Sequence, residues 1–292
     1  MKKAVFITGP TSSGKSELAV YLAKKFNGEV INADSRQVYK FLDWGSGKIT
    51  KKEIGNVKHH LLSIASPKKN FSLGRWLKEA KRIAFKLIKK KKLPIFCGGT
   101  ILYLKALKEG WQLPQVKPNY KLRRELEKLS NEELIEMIKK INKNGLINLD
   151  FKNKRRLIRR LEILLAQKKI EPLKKNPEFD LLILAPLLPK ETLFLKIKER
   201  LIKRVPKIIK EIKKLRKIGL SLKRIISFGL EYEWFGRYVA EEIGLEEAIQ
   251  RCYQETLRFA KKQIRELLKI KEVNWVRSKE EAIVLVSNWL ST

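Results

Sequence analysis

The feature that most constrains this chain is a phosphate-binding motif close to the start of the sequence. Residues 9–16 read Gly-Pro-Thr-Ser-Ser-Gly-Lys-Ser and match the pattern G-x-x-x-x-G-K-[ST]. Residues 4–8 before the motif predict a strand, and the apolar spacing over residues 16–26 predicts a helix. In that setting the loop amides and Lys15 attract a phosphate, while the Ser16 hydroxyl is a candidate Mg²⁺ ligand. We therefore expect a diphosphate to bind at Gly9, Pro10, Thr11, Ser12, Ser13, Gly14, Lys15 and Ser16.

The rest of the chain predicts a parallel α/β core interrupted by a helical insertion. Apolar runs at residues 29–33 and 93–97 predict two more strands, and residues 71–92 predict a long amphipathic helix. Residues 120–169 are helical, basic and poor in strand formers, and residues 181–185 then predict a returning strand. The predicted fold class is α/β. It comprises a P-loop NTPase-like parallel-sheet core, residues 1–114 and 178–292 with C-terminal helices, and an inserted all-helical domain, residues 115–177.

The phosphate loop identifies a ligand and not a reaction. An NTPase or kinase normally has an acidic residue at the end of a second apolar strand, where it holds the metal. The strand over residues 93–97 is followed instead by Gly98, Gly99 and Thr100, whereas Asp34 follows the strand over residues 29–33. Because ligands bind at the carboxyl ends of parallel strands, Asp34 and Thr100 should converge on the phosphate loop. Asp34 is a candidate catalytic carboxylate, and a metal-holding acid or a helix cap is the alternative.

The charge of the chain favours an anionic partner. Lys and Arg number 66 against 31 Asp and Glu, a net charge of +35, and such a surplus repels itself unless an anion screens it. Nucleic acid is the natural partner because neutralised phosphates release counterions; a lysine-rich composition from an AT-rich genome is the alternative. Cys97 and Cys252 have no paired spacing, which argues against a metal knuckle or a disulfide framework. No apolar run approaches the ~20 residues of a membrane span, so we expect a cytoplasmic protein with no membrane partner.

Several further motifs accompany the phosphate loop. They are Asp34-Ser35-Arg36-Gln37-Val38-Tyr39, His59-His60-Leu61, Gly98-Gly99-Thr100 with Tyr103 and Leu104, the run from Arg156 to Glu162, and Phe259-Ala260-Lys261-Lys262-Gln263. With the loop they span about residues 3–265, and the pairing of the loop with D-S-x-Q-V-Y is specific. Taken together, these motifs resemble the tRNA dimethylallyltransferase family, whose members are also called tRNA isopentenyltransferases.

The resemblance implies an enzyme that transfers the dimethylallyl group of dimethylallyl diphosphate to tRNA. The acceptor would be the exocyclic N6 amine of the adenosine 3′ of the anticodon, and diphosphate would be released. Asp34 matches the family's general base, which would accept a proton from this weakly nucleophilic amine. Lys15, the loop amides and Mg²⁺ held by Ser16 would stabilise the leaving diphosphate. Thr100 matches a threonine beside the reacting centre, so the implied catalytic residues are Asp34, Thr100 and Lys15, with Mg²⁺ as cofactor.

The same resemblance implies tRNA contacts in two parts of the chain. The target base would leave its stack and meet Asp34, Ser35, Arg36, Gln37 and Thr100, with Gln37 as a candidate reader of its edge. Residues on the helical insertion would contact the anticodon stem-loop; they are Arg123, Lys152, Asn153, Lys154, Arg155, Arg156 and Arg159. A solvated basic face is the alternative for each arginine. We expect a monomer.

Two departures from the family pattern bear on the diphosphate site. The family usually has Gly-Leu-Asp-Ile-Gly-Thr-Ala where residues 41–47 read Phe-Leu-Asp-Trp-Gly-Ser-Gly. Ile226 stands where a catalytic arginine is common, and we expect Arg224 to reach the diphosphate instead; catalysis with Lys15 and metal alone is the alternative. A P-loop nucleotide or small-molecule kinase is the alternative function, and a nucleic-acid-binding protein with a vestigial loop is a third.

Overall fold

The computed structural model describes residues 1–167 and 170–292, which form two compact units. The core unit comprises residues 1–110 and 177–292, and the insertion unit comprises residues 111–176. Residues 168 and 169, which end the helical segment predicted from the sequence, lie outside the described residues. Within the described ranges, no helix is both long enough and apolar enough to cross a membrane.

Short strands alternate with helices along most of the chain. The strands are β1 (Lys2–Ile7), β2 (Gly28–Asn32), β3 (His59–His60), β4 (Leu93–Cys97), β5 (Trp111–Gln112), β6 (Lys174–Lys175), β7 (Phe179–Pro186) and β8 (Val273–Val276). The helices are α1 (Lys15–Lys25), α2 (Lys51–Ile54), α3 (Leu73–Lys89), α4 (Ile101–Lys108), α5 (Tyr120–Leu126), α6 (Asn131–Ile141), α7 (Lys154–Gln167), α8 (Lys190–Lys217), α9 (Leu222–Ile226), α10 (Glu231–Val239), α11 (Leu245–Leu267) and α12 (Lys279–Ser291).

The core unit is built on a six-stranded sheet with the strand order β3-β2-β4-β1-β7-β8. Every pair of neighbouring strands is parallel, so the parallel α/β core predicted from the sequence is confirmed. Strand β1 lies between β4 and β7. Helices cover both faces of the sheet, so the alternating side chains of β1 are buried on the two sides in turn. Val5 and Ile7 pack in a buried cluster with α1 and α12. Phe6 stacks on Phe96 of β4 on the opposite side, with ring centroids 5.8 Å apart.

The strand order places three loops side by side at one edge of the sheet. Strand β1 leads into the phosphate loop, β2 leads to Asp34, and β4 leads to Gly98 and Gly99. Because β4 lies between β2 and β1, Asp34 and the phosphate loop flank the two glycines. The carboxyl ends of the strands therefore bring the predicted phosphate site and the predicted carboxylate to opposite sides of one gap.

The insertion unit has its own apolar core, formed by α5, α6 and α7 around a short 3₁₀ turn. Leu134, Ile138, Leu157, Leu161 and Leu164 are fully or almost fully buried there. The expectation of an all-helical insertion over residues 115–177 is wrong in one respect, because β6 lies within that range and pairs with β5 as an antiparallel ribbon. Each strand has two residues, too few to produce the alternating pattern by which a strand is detected in a sequence.

Candidate active site

The phosphate loop joins β1 to α1 through two glycines in backbone conformations that other residues rarely adopt. Gly9 has φ +134° and Gly14 has φ +89°. Gly14 immediately precedes α1, whose first backbone N–H groups have no partner within the helix. Lys15 folds back over the loop, and its Nζ donates to the Pro10 carbonyl at 2.5 Å. Burial, together with the charge of Arg200, lowers the pKa of Lys15 to about 8, so the loop holds a cation that a bound anion would stabilise.

Asp34 lies across the gap in a tight turn that its own side chain organises. Its Oδ1 accepts hydrogen bonds from the backbone N–H groups of Arg36 at 2.8 Å and Gln37 at 3.3 Å. Thr100 fixes the next residue, because its Oγ1 accepts from the Ser35 N–H at 3.0 Å. These two hydrogen bonds fix the orientation of the carboxylate, and Asp34 lines the cleft beside the phosphate loop. Thr100 itself is not among the described residues that line this cleft, so it positions the turn.

The closeness of this turn to the phosphate loop depends on Gly98. A Cβ atom at that position would clash with the carbonyl group of Ala33 and come within 2.6 Å of the Asp34 nitrogen. Gln263 of α11 fastens the other side of the gap: its Oε1 accepts from the Thr11 N–H, and its Nε2 donates to the Gly99 carbonyl, both at 2.9 Å. A buried glutamine thus ties the phosphate loop to the end of β4.

Two arginines of α8, Arg200 and Arg204, line the cleft together with Lys15, and we call these three side chains the cationic wall. Neither arginine was predicted from the sequence. Arg200 donates to the Ser12 hydroxyl at 3.4 Å and to the Gly47 carbonyl at 3.0 Å. Burial, together with the neighbouring charge of Arg204, lowers the pKa of Arg200 to about 10. Arg204 lies one helical turn further along, 3.9 Å from the Glu231 carboxylate. On its own, burial would raise the pKa of Glu231, but Arg36 and Arg204 lower it on balance.

These elements enclose a cleft of about 530 Å³. It is lined by residues 11–16 of the phosphate loop, by Asp34, Arg36 and Gln37, and by Arg200 and Arg204. An open cleft of about 420 Å³ lies next to it and shares two of its residues, Arg36 and Phe259. Ser35 and the cations Arg258 and Lys262 also line this second cleft. The Asp34 turn is therefore accessible from two sides, one rich in phosphate-binding groups and the other bordered by aromatic and basic side chains.

Comparison with known proteins agrees with this arrangement. The family model described as IPP transferase matches residues 37–267. A tRNA dimethylallyltransferase of Leuconostoc mesenteroides is 33% identical over 100% of this chain and 99% of its own length. The chain belongs to the IPP transferase family. Another relative, the tRNA dimethylallyltransferase of Thermomicrobium roseum, is 34% identical over 94% of this chain and 86% of its own length.

Solved structures of the family share the fold. The tRNA isopentenylpyrophosphate transferase of Bacillus halodurans superposes with a TM-score of 0.72 at 29% identity, covering 100% of this chain and 96% of that protein. A eukaryotic dimethylallyltransferase acting on tRNA gives a TM-score of 0.83 over 100% of this chain and 80% of its own. That second likeness, at 23% identity, concerns the fold alone.

In this member of the IPP transferase family Arg224 does not take the place of the family arginine, and that expectation is wrong. Its Nε donates to the Pro67 carbonyl at 2.8 Å and its Nη2 to the Lys69 carbonyl at 3.2 Å. The guanidinium also lies over the Phe228 ring, 4.5 Å from the centroid. It is absent from the described lining of the cleft. Arg224 fastens a surface loop, because α9 directs its side chain away from the phosphate loop.

The predicted base-contacting residues are partly committed to internal contacts. The Gln37 amide donates to the carbonyls of Ser46 and Gly47 at 3.4 and 3.2 Å, which leaves its carbonyl oxygen for a ligand. Arg36 forms an ion pair with Glu231 at 3.0 Å and lines both clefts. Arg36 therefore separates the two clefts and is fixed there by its ion pair with Glu231, in addition to any contact with a substrate.

On the insertion unit, five of the seven predicted RNA contacts divide into two groups, and the other two, Asn153 and Lys154, are half-buried where α7 begins. Arg123 and Arg159 both bind the carboxylate of Glu162, which is 2% exposed and also accepts from the Asn119 N–H at 2.6 Å. Arg123 thereby holds α5 against α7, and Arg159, itself on α7, donates to the Val116 carbonyl at 2.9 Å. By contrast, Arg155 and Arg156 in the first turn of α7 are exposed, as is Lys152 just before the helix, and Arg156 lies 3.9 Å from Asp150. The exposed group is the one able to meet an RNA backbone.

The donor set around Ser16 fits a magnesium ion that binds together with a phosphate. The described residues contain no group of three or more His, Cys, Asp or Glu side chains able to hold a metal ion. Magnesium is commonly held by one or two protein oxygens, with phosphate oxygens and waters completing the shell. Ser16 lines the cleft together with Ser13, whose buried hydroxyl has no hydrogen-bond partner in the described structure. Such oxygens suit a hard cation that enters with its diphosphate.

Proposed function

We propose that this protein transfers the dimethylallyl group from dimethylallyl diphosphate to the N6 amine of the adenosine 3′ of the anticodon in tRNA. One observation carries the proposal: the Asp34 carboxylate and the phosphate loop line the same cleft on either side of Gly98 and Gly99. A proton acceptor and a diphosphate site separated by a gap without side chains suit an alkyl transfer between an amine and an allylic diphosphate. The names of the family's relatives support this substrate class.

In the proposed reaction, the N6 nitrogen forms a bond to C1 of the dimethylallyl group as the bond between C1 and the diphosphate oxygen breaks. The amine nitrogen gains positive charge, and one of its protons passes to a carboxylate oxygen of Asp34. The electron pair of the broken bond leaves with the diphosphate. Asp34 is suited to this step because the backbone N–H groups of Arg36 and Gln37 hold Oδ1, which fixes the direction of the carboxylate.

The leaving diphosphate would be stabilised by charges that the fold has already placed. Lys15, the loop amides and Arg200 line the cleft in fixed positions, so little reorganisation accompanies the build-up of negative charge. Mg²⁺ bound through Ser16 would supply further positive charge to the phosphate oxygens. The lowered pKa of Lys15 fits this role, since an anion beside a poorly solvated ammonium favours its charged form.

The acceptor adenosine would approach from the second cleft. Ser35, Arg36 and Phe259 border that cleft next to the Asp34 turn, and an aromatic ring beside basic groups suits an unstacked base with its phosphates. Thr100 keeps the turn in place through its bond to Ser35, and the free carbonyl oxygen of Gln37 could accept from the base edge. Lys152, Asn153, Lys154, Arg155 and Arg156 on the insertion unit are proposed contacts for the anticodon stem-loop.

A direct assay tests the proposal. Protein, Mg²⁺, dimethylallyl diphosphate and an anticodon stem-loop with adenosine 3′ of the anticodon are incubated, and RNA mass is followed by mass spectrometry. Asp34→Asn keeps a carbonyl oxygen for the Arg36 and Gln37 amides, so it should fold and bind RNA while turnover falls by about 10²–10⁴. Asp180→Asn, remote from the cleft, is the matched control. Unmodified RNA with the wild-type protein, or full turnover by Asp34→Asn, contradicts the proposal; a phosphorylated product in an arm with ATP would indicate a kinase.

A further inference from the structure

We infer that Arg204 of α8 binds the second phosphate of the donor. The inference, which rests on the proposed function, begins with an unsatisfied group. Arg204 Nη2 is buried without a hydrogen-bond partner in the described structure, although the side chain lines the phosphate cleft. A buried guanidinium N–H left unpaired is costly. An anionic oxygen in the cleft would satisfy it.

The position of Arg204 relative to Arg200 indicates which part of the ligand it meets. Arg200 contacts the phosphate loop itself through Ser12, so it lies next to the phosphate that the loop and Lys15 enclose. Arg204 follows four residues later on the same helix, and residues spaced in this way lie on one face. A second phosphate that extends beyond the loop along this face would meet Arg204, whose planar fork suits two phosphate oxygens.

The charge balance around Arg204 leaves it free to bind. Glu231 is buried and forms its close ion pair with Arg36, at 3.0 Å, whereas its distance to Arg204 is 3.9 Å. The carboxylate therefore moderates the repulsion between the arginines without saturating Arg204. A bound phosphate oxygen would accept a hydrogen bond from Arg204 Nη2 while Glu231 keeps its ion pair with Arg36. Binding therefore need not break an existing hydrogen bond.

Gly47 shows that space for this arginine pair is built into the chain. A Cβ atom at Gly47 would clash with Arg200 Nη2 and come within 3.4 Å of Arg204 Nη1, and its φ of +64° also favours glycine. The glycine at position 47 therefore leaves room for both guanidinium groups beside the cleft.

Binding of two simple anions separates this role from a general effect of charge. Inorganic pyrophosphate and inorganic phosphate are titrated with Mg²⁺ into the full chain by calorimetry. Arg204→Met should weaken pyrophosphate binding by about 10- to 100-fold, the range for a hydrogen bond to a charged group, and change phosphate binding by less than about 3-fold. Lys210→Met removes one charge from an exposed site on the same helix and should bind both anions like the wild type.

Two further variants keep the test decisive. Arg204→Lys retains a cation beside Glu231, so it should fold if Arg204→Met does not, and the loss of the fork should still weaken pyrophosphate binding by about 5-fold or more. Gly47→Ala should weaken it by displacing both guanidinium groups. Pyrophosphate affinity in Arg204→Met or Arg204→Lys equal to that of Lys210→Met overturns the inference. Wild-type protein that binds pyrophosphate in an Arg204-dependent way but never alkylates RNA overturns the proposed function instead.

Discussion

Replacing Lys15 with methionine should make the ligand-free protein more stable near neutral pH, even though it removes the main phosphate-binding cation. An unfolded lysine titrates near pH 10.5, whereas burial lowers the pKa of Lys15 to about 8 in the folded protein. Between these values the unfolded chain binds more protons than the folded chain, so stability rises with pH. Below pH 8 the full cost of the buried ammonium is present, and it disappears gradually from pH 8 to 10.5.

The expected size follows from the structure. A fall in the pKa of a lysine from 10.5 to about 8 corresponds to about 3 kcal/mol at most, and the partial solvent access of Lys15 reduces it. Methionine also loses the hydrogen bond from Nζ to the Pro10 carbonyl, worth about 1 kcal/mol. The net gain at pH 7 should be about 1–2 kcal/mol. For a domain of this size each kcal/mol raises Tm by about 2–4 °C.

Thermal unfolding of the ligand-free protein, followed by circular dichroism from pH 6 to 10, measures this effect. Lys15→Met should melt about 2–8 °C above the wild type at pH 7, and the difference should shrink as the pH approaches 10. Lys24→Met, at an exposed site on α1, is the control and should follow the wild type at every pH. A Tm for Lys15→Met at or below that of the wild type at pH 7, or a difference independent of pH, would refute the reasoning. Pyrophosphate should stabilise the wild type and leave Lys15→Met unchanged.

Two other predictions concern RNA binding and the gap between the strands. Neutralising Lys152, Arg155 and Arg156 together should flatten the salt dependence of stem-loop binding by about two to three units of log–log slope, measured by fluorescence anisotropy; an unchanged slope would make these residues a solvated face. Gly98→Ala should cost about 1–3 kcal/mol or more because backbone atoms of the Asp34 turn block a Cβ. Gly244→Ala, with no atom within 4 Å of its Cβ position, should cost about 1 kcal/mol at most in denaturant titration, through its place as the N-cap of α11.

The sequence predicted the parts of the molecule that local patterns encode. The strand, loop and helix around Lys15 follow from spacing and glycine placement, and the parallel order of the sheet follows from the alternation of strands and helices. Strands β3 and β8 were not predicted, because two and four residues at the sheet edges show no clear alternation. Arg200 and Arg204 were missed because only the tertiary packing of α8 brings them to the cleft. A signal was available: they are arginines spaced by four in a helix that otherwise uses mostly lysine.

The separation of opposite charges across Gly98 and Gly99 is the property that makes the proposed chemistry physically consistent. Asp34 raises the pKa of Lys15 only as a minor influence, and within the described residues no ion pair joins the two side chains. Had they formed a salt bridge, the carboxylate would be a weaker proton acceptor and the ammonium would be partly neutralised before the diphosphate arrived. The intervening strand β4 carries glycines at that point, so the gap stays open for the reacting atoms. Cations therefore collect on the side of β1 and α8, where negative charge develops, and the base remains on the side of β2, where positive charge develops.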